Sequence, residues 1–459
     1  MFVRITTGLA AAAALAIAAA QTTTEIPYSD ARPALEAHAA DLPADLAPLD
    51  SSQREAAWPG WVSRHNAEIR ARLEQGDQDS VVNLWLYGTT FTRLPRVTDR
   101  QAAQLQDRDA VEALLLNRLD AFVTALAQPG GPRDNERLQF ARTLLARAGI
   151  TLSTEAGREQ AKIFLVRARE RVIAENEQYR RAAESPSAYA TLFRDRGLSS
   201  DTRLTASFAV DKALGALAAS GRLSPGTVAR VAIVGPGLDF TDKAEGYDFY
   251  PLQTIQPFGV IDSLLRLKLS KTAAVHVVTL DLSPRVNGHL DRARRRAGAG
   301  AAYTIQLPLA TDDAKHQWDT DLVAYWQRFG REVGTTVKAA VPPAIVGSVR
   351  VRAVSIRPSV VLSIAPRDVN IIVERLDPLS PDERFDLVIA TNILVYYNGF
   401  DQSLALANIA KMLRPGGFFL TNYAVTPLPP METSASIVTP VFFDRQGNGD
   451  TVYAYQRRE

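Results

Sequence analysis

The 459-residue chain contains no cysteine. Disulfides, thiolate zinc sites and cysteine nucleophiles are therefore excluded. Net charge is also scarce: 52 Lys and Arg against 50 Asp and Glu leave a formal +2. That balance gives no reason to expect nucleic acid or an acidic polymer as a partner. The densest basic run is Arg292, Arg294, Arg295 and Arg296, and on a helix flank such a run reads as a solvated face. The five histidines (His38, His65, His276, His289, His316) are scattered without HExxH spacing. Neither a GxSxG nucleophile elbow nor a GxxxxGK[ST] phosphate loop occurs, which removes two common catalytic designs. Beyond the N-terminus no apolar run approaches transmembrane length, so no permanent membrane span is expected.

What is present begins with MFVRITTGLAAAAALAIAAAQ. Arg4 is the one charge in its first segment, Gly8 to Ile17 are apolar, and Ala18-Ala19-Ala20 offers small residues for cleavage before Gln21. This pattern predicts a cleaved signal peptide over residues 1–20 and export to a periplasm or the medium. A misplaced start codon would instead leave a cytoplasmic protein. The next methionines are Met412 and Met431, so a later start would need a Val or Leu codon.

With 46% hydrophobic residues the chain can fill the cores of two or three domains. Residues 21–220 read as a helical N-terminal domain. Helices are expected at Asp107–Ala127, Pro132–Ala148 and Thr154–Ala183, separated by breakers such as Gln128-Pro-Gly-Gly-Pro132. In residues 221–459 short apolar runs alternate with helical patterns, which predicts βαβ units and a parallel sheet. The runs are VAIVG (231–235), VHVVTLDL (275–282), NIIVERLD (370–377), FDLVIATN (385–392) and FFLTNYAV (418–425). IVTPVFFD and TVYAYQRR flank the glycine-rich turn 445–450, a hairpin signal. An insertion at about 300–358 holds a strand-like YTIQLPL and the aromatics Trp318, Tyr325, Trp326 and Phe329 at core spacing. The expected fold is α/β, with a Rossmann-like, mostly parallel sheet ending in an antiparallel hairpin and preceded by an all-α region.

Ligands of open α/β sheets bind beyond the carboxyl ends of the strands. Gly235 and Gly237 in VAIVGPGLDF let backbone amides approach a ligand without Cβ interference. Asp281, near the end of the second run, can accept both hydroxyls of a ribose. Asp377, ending the third, can accept from an exocyclic amine such as adenine N6. Thr391 and Asn392 close the fourth. Each alone is also a common turn former, but their order on successive strands suits a nucleoside ligand.

Residues 229–459 resemble the class I S-adenosylmethionine-dependent methyltransferases. VGPG looks like the family's glycine loop and TLDLS like its acidic second-strand motif. ERFDLVIATNILVYY and LANIAKMLRPGGFFLTN look like its fourth- and fifth-strand motifs, LRPGG being the most distinctive; NILVYY is similar to the chemotaxis-receptor type. The resemblance implies S-adenosylmethionine as cofactor and an acceptor that is a small molecule or a protein side chain. Gly235 and Gly237 would line its methionine portion, Asp281 would hold the ribose and Asp377 the adenine edge. Asn392 would border the methionine portion or the acceptor.

The sequence departs from the family pattern in four places, one of them Thr391, where the receptor type often has Arg before the Asn. Ile233 stands where the first motif usually has an acid, and Asp239 where a third glycine is usual. Asp239 could replace that acid near the cofactor's ammonium, or be a loop carboxylate facing solvent. DFTDKAEGYDFYP lengthens the first loop, so the acidic residue comes later than the ~20 positions usual in nucleotide-binding units. In LFRDRGLSSDTRLTASFAVDKAL (192–214), Arg194-Asp-Arg196 and Ser199-Ser-Asp201 could form a lid, while Asp201 reads as a helix start. Two other readings stay open: an exported, non-enzymatic protein with a degenerate fold, and an NAD-type oxidoreductase. The latter lacks GxGxxG because position 240 is Phe.

Overall fold

The computed structural model describes residues 22–40, 42–97, 108–128, 135–182, 196–240, 246–271, 275–312, 317–426, 428–432 and 434–458. The expected signal peptide, residues 1–20, and the lid candidate Arg194 lie outside them.

Strand β1 (Thr22–Glu25) leads into α1 (Tyr28–Ala37), α2 (Ser51–Tyr87), α3 (Arg108–Ala127), α4 (Glu136–Arg147), α5 (Glu155–Ala182) and α6 (Leu204–Ala219). The expected helices over 107–183 are present, each starting or stopping within a few residues of its breakers. The 37-residue α2 is started by a capping box in which Asp50 accepts from Gln53 N (2.9 Å) and Gln53 Oε1 from Asp50 N (3.0 Å). That exchange satisfies amides the helix itself leaves unpaired.

The α/β half runs β2 (Arg230–Val234), α7 (Gln256–Arg266), β3 (His276–Asp281), α8 (Pro284–Gly298), β4 (Tyr303–Ala310), α9 (Thr320–Arg328), β5 (Gly334–Val337), β6 (Val349–Ile356), α10 (Pro358–Leu362) and β7 (Ile364–Asp368). It continues with β8 (Glu374–Asp377), β9 (Phe385–Ala390), α11 (Gly399–Met412), β10 (Leu413–Thr421), β11 (Ile437–Phe442) and β12 (Gly449–Gln456). Seven strands form the main sheet in the order β11-β12-β10-β9-β2-β3-β7. Strands β7, β3, β2, β9 and β10 are parallel, and β12 is antiparallel to both β10 and β11. From β2 the chain steps outward through β3 to β7, then returns to β9 on the other side. The β2/β9 boundary is therefore the topological switch point, where such sheets open a crevice.

The third strand differs from the expected one. NIIVERLD does not join the main sheet: only Glu374–Asp377 is strand, pairing antiparallel with β1 in a separate two-stranded sheet. The sheet's third parallel strand is β7, IAPRD, which pairs with β3. The insertion forms its own antiparallel sheet, β4-β6-β5. Its aromatics are core as expected: Tyr325, Trp326 and Phe329 are buried, and Trp326 Nε1 donates to Leu307 O (2.9 Å).

Both sheet faces are covered, as a parallel sheet requires. Val231 and Ile233 of β2 enter one core and Ala232 and Val234 the other, following the two-residue period of a strand. Helix α2 serves both. Its first half gives Trp58, Trp61, Val62 and Ile69 to the core beneath α11, and its second half gives Val81, Val82, Leu84 and Trp85 to the opposite core. Among the described residues, the helical half shares both cores with the sheet.

Candidate functional site

A cavity of about 450 Å³ opens at the switch point, lined by residues from the ends of β2, β3, β7 and β9. Gly235 and Gly237 border it with φ of 61° and 65°, a left-handed backbone that side chains disfavour. A Cβ at Gly235 would come within 2.2 Å of Ile393 Cδ1, and one at Gly237 within 2.8 Å of Ser200 O. The glycines thus admit close approach of the protein's own segments as well as any ligand.

Asp281 lies on the wall at the end of β3 and is 7% exposed. Its carboxylate accepts from Ser283 N (2.7 Å) and from the Gly237 amide, which ties the strand end to the glycine loop. Burial pushes its pKa up to about 7, against the opposing effect of those amides and of Arg285. Asn392 also lines the cavity, in a left-handed conformation (φ 60°). Asn422 holds it by accepting from Asn392 N (2.7 Å) and donating to Asn392 Oδ1 (2.6 Å). Beside it Thr391 Oγ1 accepts from Gln256 Nε2 (2.8 Å).

Two expected site residues stand elsewhere. Asp377 ends β8 outside the cavity, with its carboxylate on Arg375 (3.2 Å). NIIVERLD is not a main-sheet strand, so its end does not reach the cavity. The residues that follow β7 into the cavity are Val369, Asn370 and Ile371. Asp239 is buried away from the cavity, where Tyr250 Oη (2.9 Å) and Gln253 Nε2 (2.7 Å) donate to its Oδ2. It is neither a solvent-facing carboxylate nor a wall residue.

Helical-half residues supply the remaining wall. Ser199 to Arg203 and Leu73 of α2 line the cavity. This strap is bound to the glycine loop by Leu238 N donating to Ser200 O (2.7 Å) and Thr202 N donating to Leu238 O (2.8 Å). Asp201 does not start a helix: α6 begins after Arg203 without a side-chain cap. Its carboxylate accepts from Ser80 Oγ (3.0 Å) and faces Arg285 at 3.6 Å. Arg285 is held between the rings of Phe140 and Phe240, 4.4 and 4.7 Å from their centres. Leu73, Arg203 and the segment 369–371 carry no sequence signal for a site. Tyr396 and Tyr397 line the cavity, whereas Tyr247 and Tyr250 pack away from it.

Among the described residues there is no cluster of metal-ligating side chains and no helix long and apolar enough to cross a membrane.

Residues 334–421 match the family model of a methyltransferase domain. The resemblance read from the sequence holds over that stretch, which includes the β9 and β10 motifs but not the glycine loop or Asp281. No curated protein matches the chain. Among solved structures the chain is similar to the N-methyltransferase NodS of Bradyrhizobium japonicum WM9 at 12% identity. That match covers 55% of this chain and 95% of NodS with a TM-score of 0.26. It is similar also to the magnesium protoporphyrin IX methyltransferase of Synechocystis PCC 6803, at 12% identity over 62% of this chain and 97% of that one, TM-score 0.26. The fold stands on the sheet order itself.

Proposed function

We propose that the chain binds S-adenosylmethionine at the switch-point cavity and transfers its methyl group to an acceptor, a small molecule or a protein side chain. One observation carries this reading: two left-handed glycines and a buried carboxylate bonded to their loop line one cavity of about 450 Å³. That volume lies in the range of small-molecule sites. The match of residues 334–421 to a methyltransferase domain supports it from a separate part of the chain.

The residues present fit the cofactor. Asp281 accepts hydrogen bonds from ribose hydroxyls, because a carboxylate has about four acceptor positions and two protein amides leave room. Val369 and Ile371 give an apolar flank for the adenine. Gly235, Gly237 and Asn392 border the methionine portion. Bound there, the cofactor supplies a methyl group already activated on a sulfonium. The chain's contribution is orientation and exclusion of water, which supply most of the rate in such a displacement. No general base is needed unless the acceptor must lose a proton during attack.

Calorimetry of the purified chain with S-adenosylmethionine and S-adenosylhomocysteine tests the reading, and both are expected to bind. Binding of neither would overturn it and favour the non-enzymatic alternative. We further propose that residues 1–20 direct export. Fractionation should find the shortened chain outside the cytoplasm, and only full-length cytoplasmic protein would contradict it.

A further inference from the structure

Beside the glycine loop, the cavity wall presents hydrogen-bond donors that the protein itself leaves unused. Asn392 lines the cavity just past β9, and the direction of its amide follows from its neighbours. Asn422 Oδ1 accepts from Asn392 N (2.7 Å), a group that can only donate, so the Asn422 nitrogen faces the remaining partners. That nitrogen donates to Asp450 Oδ2 (3.0 Å) and to Asn392 Oδ1 (2.6 Å). The Asn392 oxygen is therefore occupied, while its Nδ2 has no partner among the described residues. Arg203 lines the same cavity from the strap, just before α6. It is exposed, and its guanidinium makes no hydrogen bond or ion pair among the described residues. Asp450 brings the two donors to one end of the cavity: it shares Asn422 with Asn392, and the Arg203 charge acts on it. Both also flank the glycine loop. A Cβ at Gly235 would strike Ile393, next to Asn392, and one at Gly237 would lie 3.0 Å from Thr202, next to Arg203.

A guanidinium beside an amide that offers only its NH2 group suits an anion. The charge is paired and every donor finds an acceptor, whereas an ammonium meets repulsion and a hydroxyl gains only weaker hydrogen bonds. The planar fork of the arginine favours a carboxylate, whose two oxygens match it. The other carboxylates on the wall do not compete: Asp201 is turned to Ser80 and Arg285, and Asp281 to Ser283 N and the Gly237 amide. We infer that Arg203 and the Asn392 amide form a carboxylate subsite at this end of the cavity; this rests on the methyltransferase reading above. Two carboxylates are candidates in that reading, the one on the cofactor's methionine portion and one borne by the acceptor. Asp450 and Asn422 act as positioning residues, because they keep the Asn392 oxygen turned away from the subsite.

Calorimetry on the full chain separates the two sources. Its probes are S-adenosylhomocysteine and 5′-methylthioadenosine, which lacks the amino-acid end. On protein saturated with S-adenosylhomocysteine, 3-phenylpropanoate is then compared with 2-phenylethanol. If the cofactor's carboxylate is held, Arg203→Gln weakens S-adenosylhomocysteine at least about tenfold and leaves 5′-methylthioadenosine unchanged. If the acceptor's is held, the parent prefers 3-phenylpropanoate to 2-phenylethanol at least about tenfold, and Arg203→Gln loses that preference with S-adenosylhomocysteine affinity intact. Asn392→Asp keeps the shape and tolerates the left-handed backbone but replaces a donor with a charge, so it should weaken the same ligand. Binding of 5′-methylthioadenosine by both variants reports that they are folded. Parent-like behaviour of Arg203→Gln in both arms, or equal weakening of both nucleosides, would overturn the inference and leave the methyltransferase reading standing. A parent that binds neither nucleoside would remove that reading and the inference with it.

Discussion

The two walls of the cavity come from different halves of the chain and solve different problems. The sheet wall carries groups a nucleoside cofactor can use: two glycines, Asp281 and the Thr391–Asn392 strand end. The helical wall holds the glycine loop, through Leu238 N donating to Ser200 O and Thr202 N donating to Leu238 O. The first loop is long, and its backbone is clamped from outside: Arg137 of α4 is buried and donates to the carbonyls of Asp239 (3.1 Å), Phe240, Asp248 and Tyr250. Thr89 and Thr90, just past α2, donate backbone and hydroxyl hydrogens to the Asp248 carboxylate at 2.7–3.1 Å. The first loop is here completed by another part of the chain, not by its own residues.

The comparison breaks most sharply at Arg137. Removing it strands several buried carbonyls, each costly to leave unpaired, so Arg137→Met should lower unfolding free energy by about 3–5 kcal/mol. Urea denaturation reads the loss, and a change below about 1 kcal/mol would show the loop to be self-supporting. Next comes Gly237→Ala. The left-handed backbone and the 2.8 Å approach to Ser200 O make it incompatible with a side chain. It should cost about 2–3 kcal/mol and weaken S-adenosylhomocysteine binding, because strap and loop must part.

Asp281→Ala tests the sheet wall alone. Lost charged hydrogen bonds should weaken S-adenosylhomocysteine binding by about tenfold to a hundredfold, whereas Asp377→Ala should leave it unchanged. The sign of the pH dependence follows from burial. With its pKa raised to about 7 from the ordinary 3.8, folded Asp281 holds a proton that the unfolded chain has released. Its effect on stability is thus favourable at low pH and lost as pH rises from about 4 to 7. Cofactor affinity runs the other way, climbing through pH 7 as the carboxylate ionises to accept ribose hydroxyls. Asp281→Asn should flatten that climb, and a profile unchanged by the substitution would exclude the assigned role.

The sheet wall was legible because its signals are local: apolar runs ending in Gly, Asp or Asn at strand ends. The third strand was not. IAPRD holds Pro366, Arg367 and Asp368 and lacks the look of a buried strand, while the more apolar NIIVERLD next to it was the better match to the pattern. Tertiary pairing with β3 decides between them, and that information is not in either segment. Asp377 was misplaced for the same reason. The contribution of the helical half was illegible in kind, since Ser200 on the wall and Arg137 outside it act through backbone groups about 38 and 100 positions away. Such a contact follows no spacing rule within either segment.

The smallest effect is expected where the halves meet without touching the cavity. His65 of α2 sits 2.9 Å from Asp401 of α11 and 3.4 Å from Glu68, stacked on Trp61 at 4.6 Å. Burial alone would lower its pKa, but the hydrogen bonds and charges of Asp401 and Glu68 outweigh that and raise it above 6.5. A raised folded value means the imidazolium form is favoured in the native state. This contribution is fully present below the unfolded pKa and disappears as pH rises through the folded one. Chemical denaturation of the parent and His65→Gln should therefore differ most at mildly acidic pH and converge on the alkaline side. S-adenosylhomocysteine affinity should stay equal throughout, because neither His65 nor Asp401 lines the cavity. Parallel stability curves would remove the charge from this contact, and a drop in affinity would mean the two halves are coupled well beyond the strap.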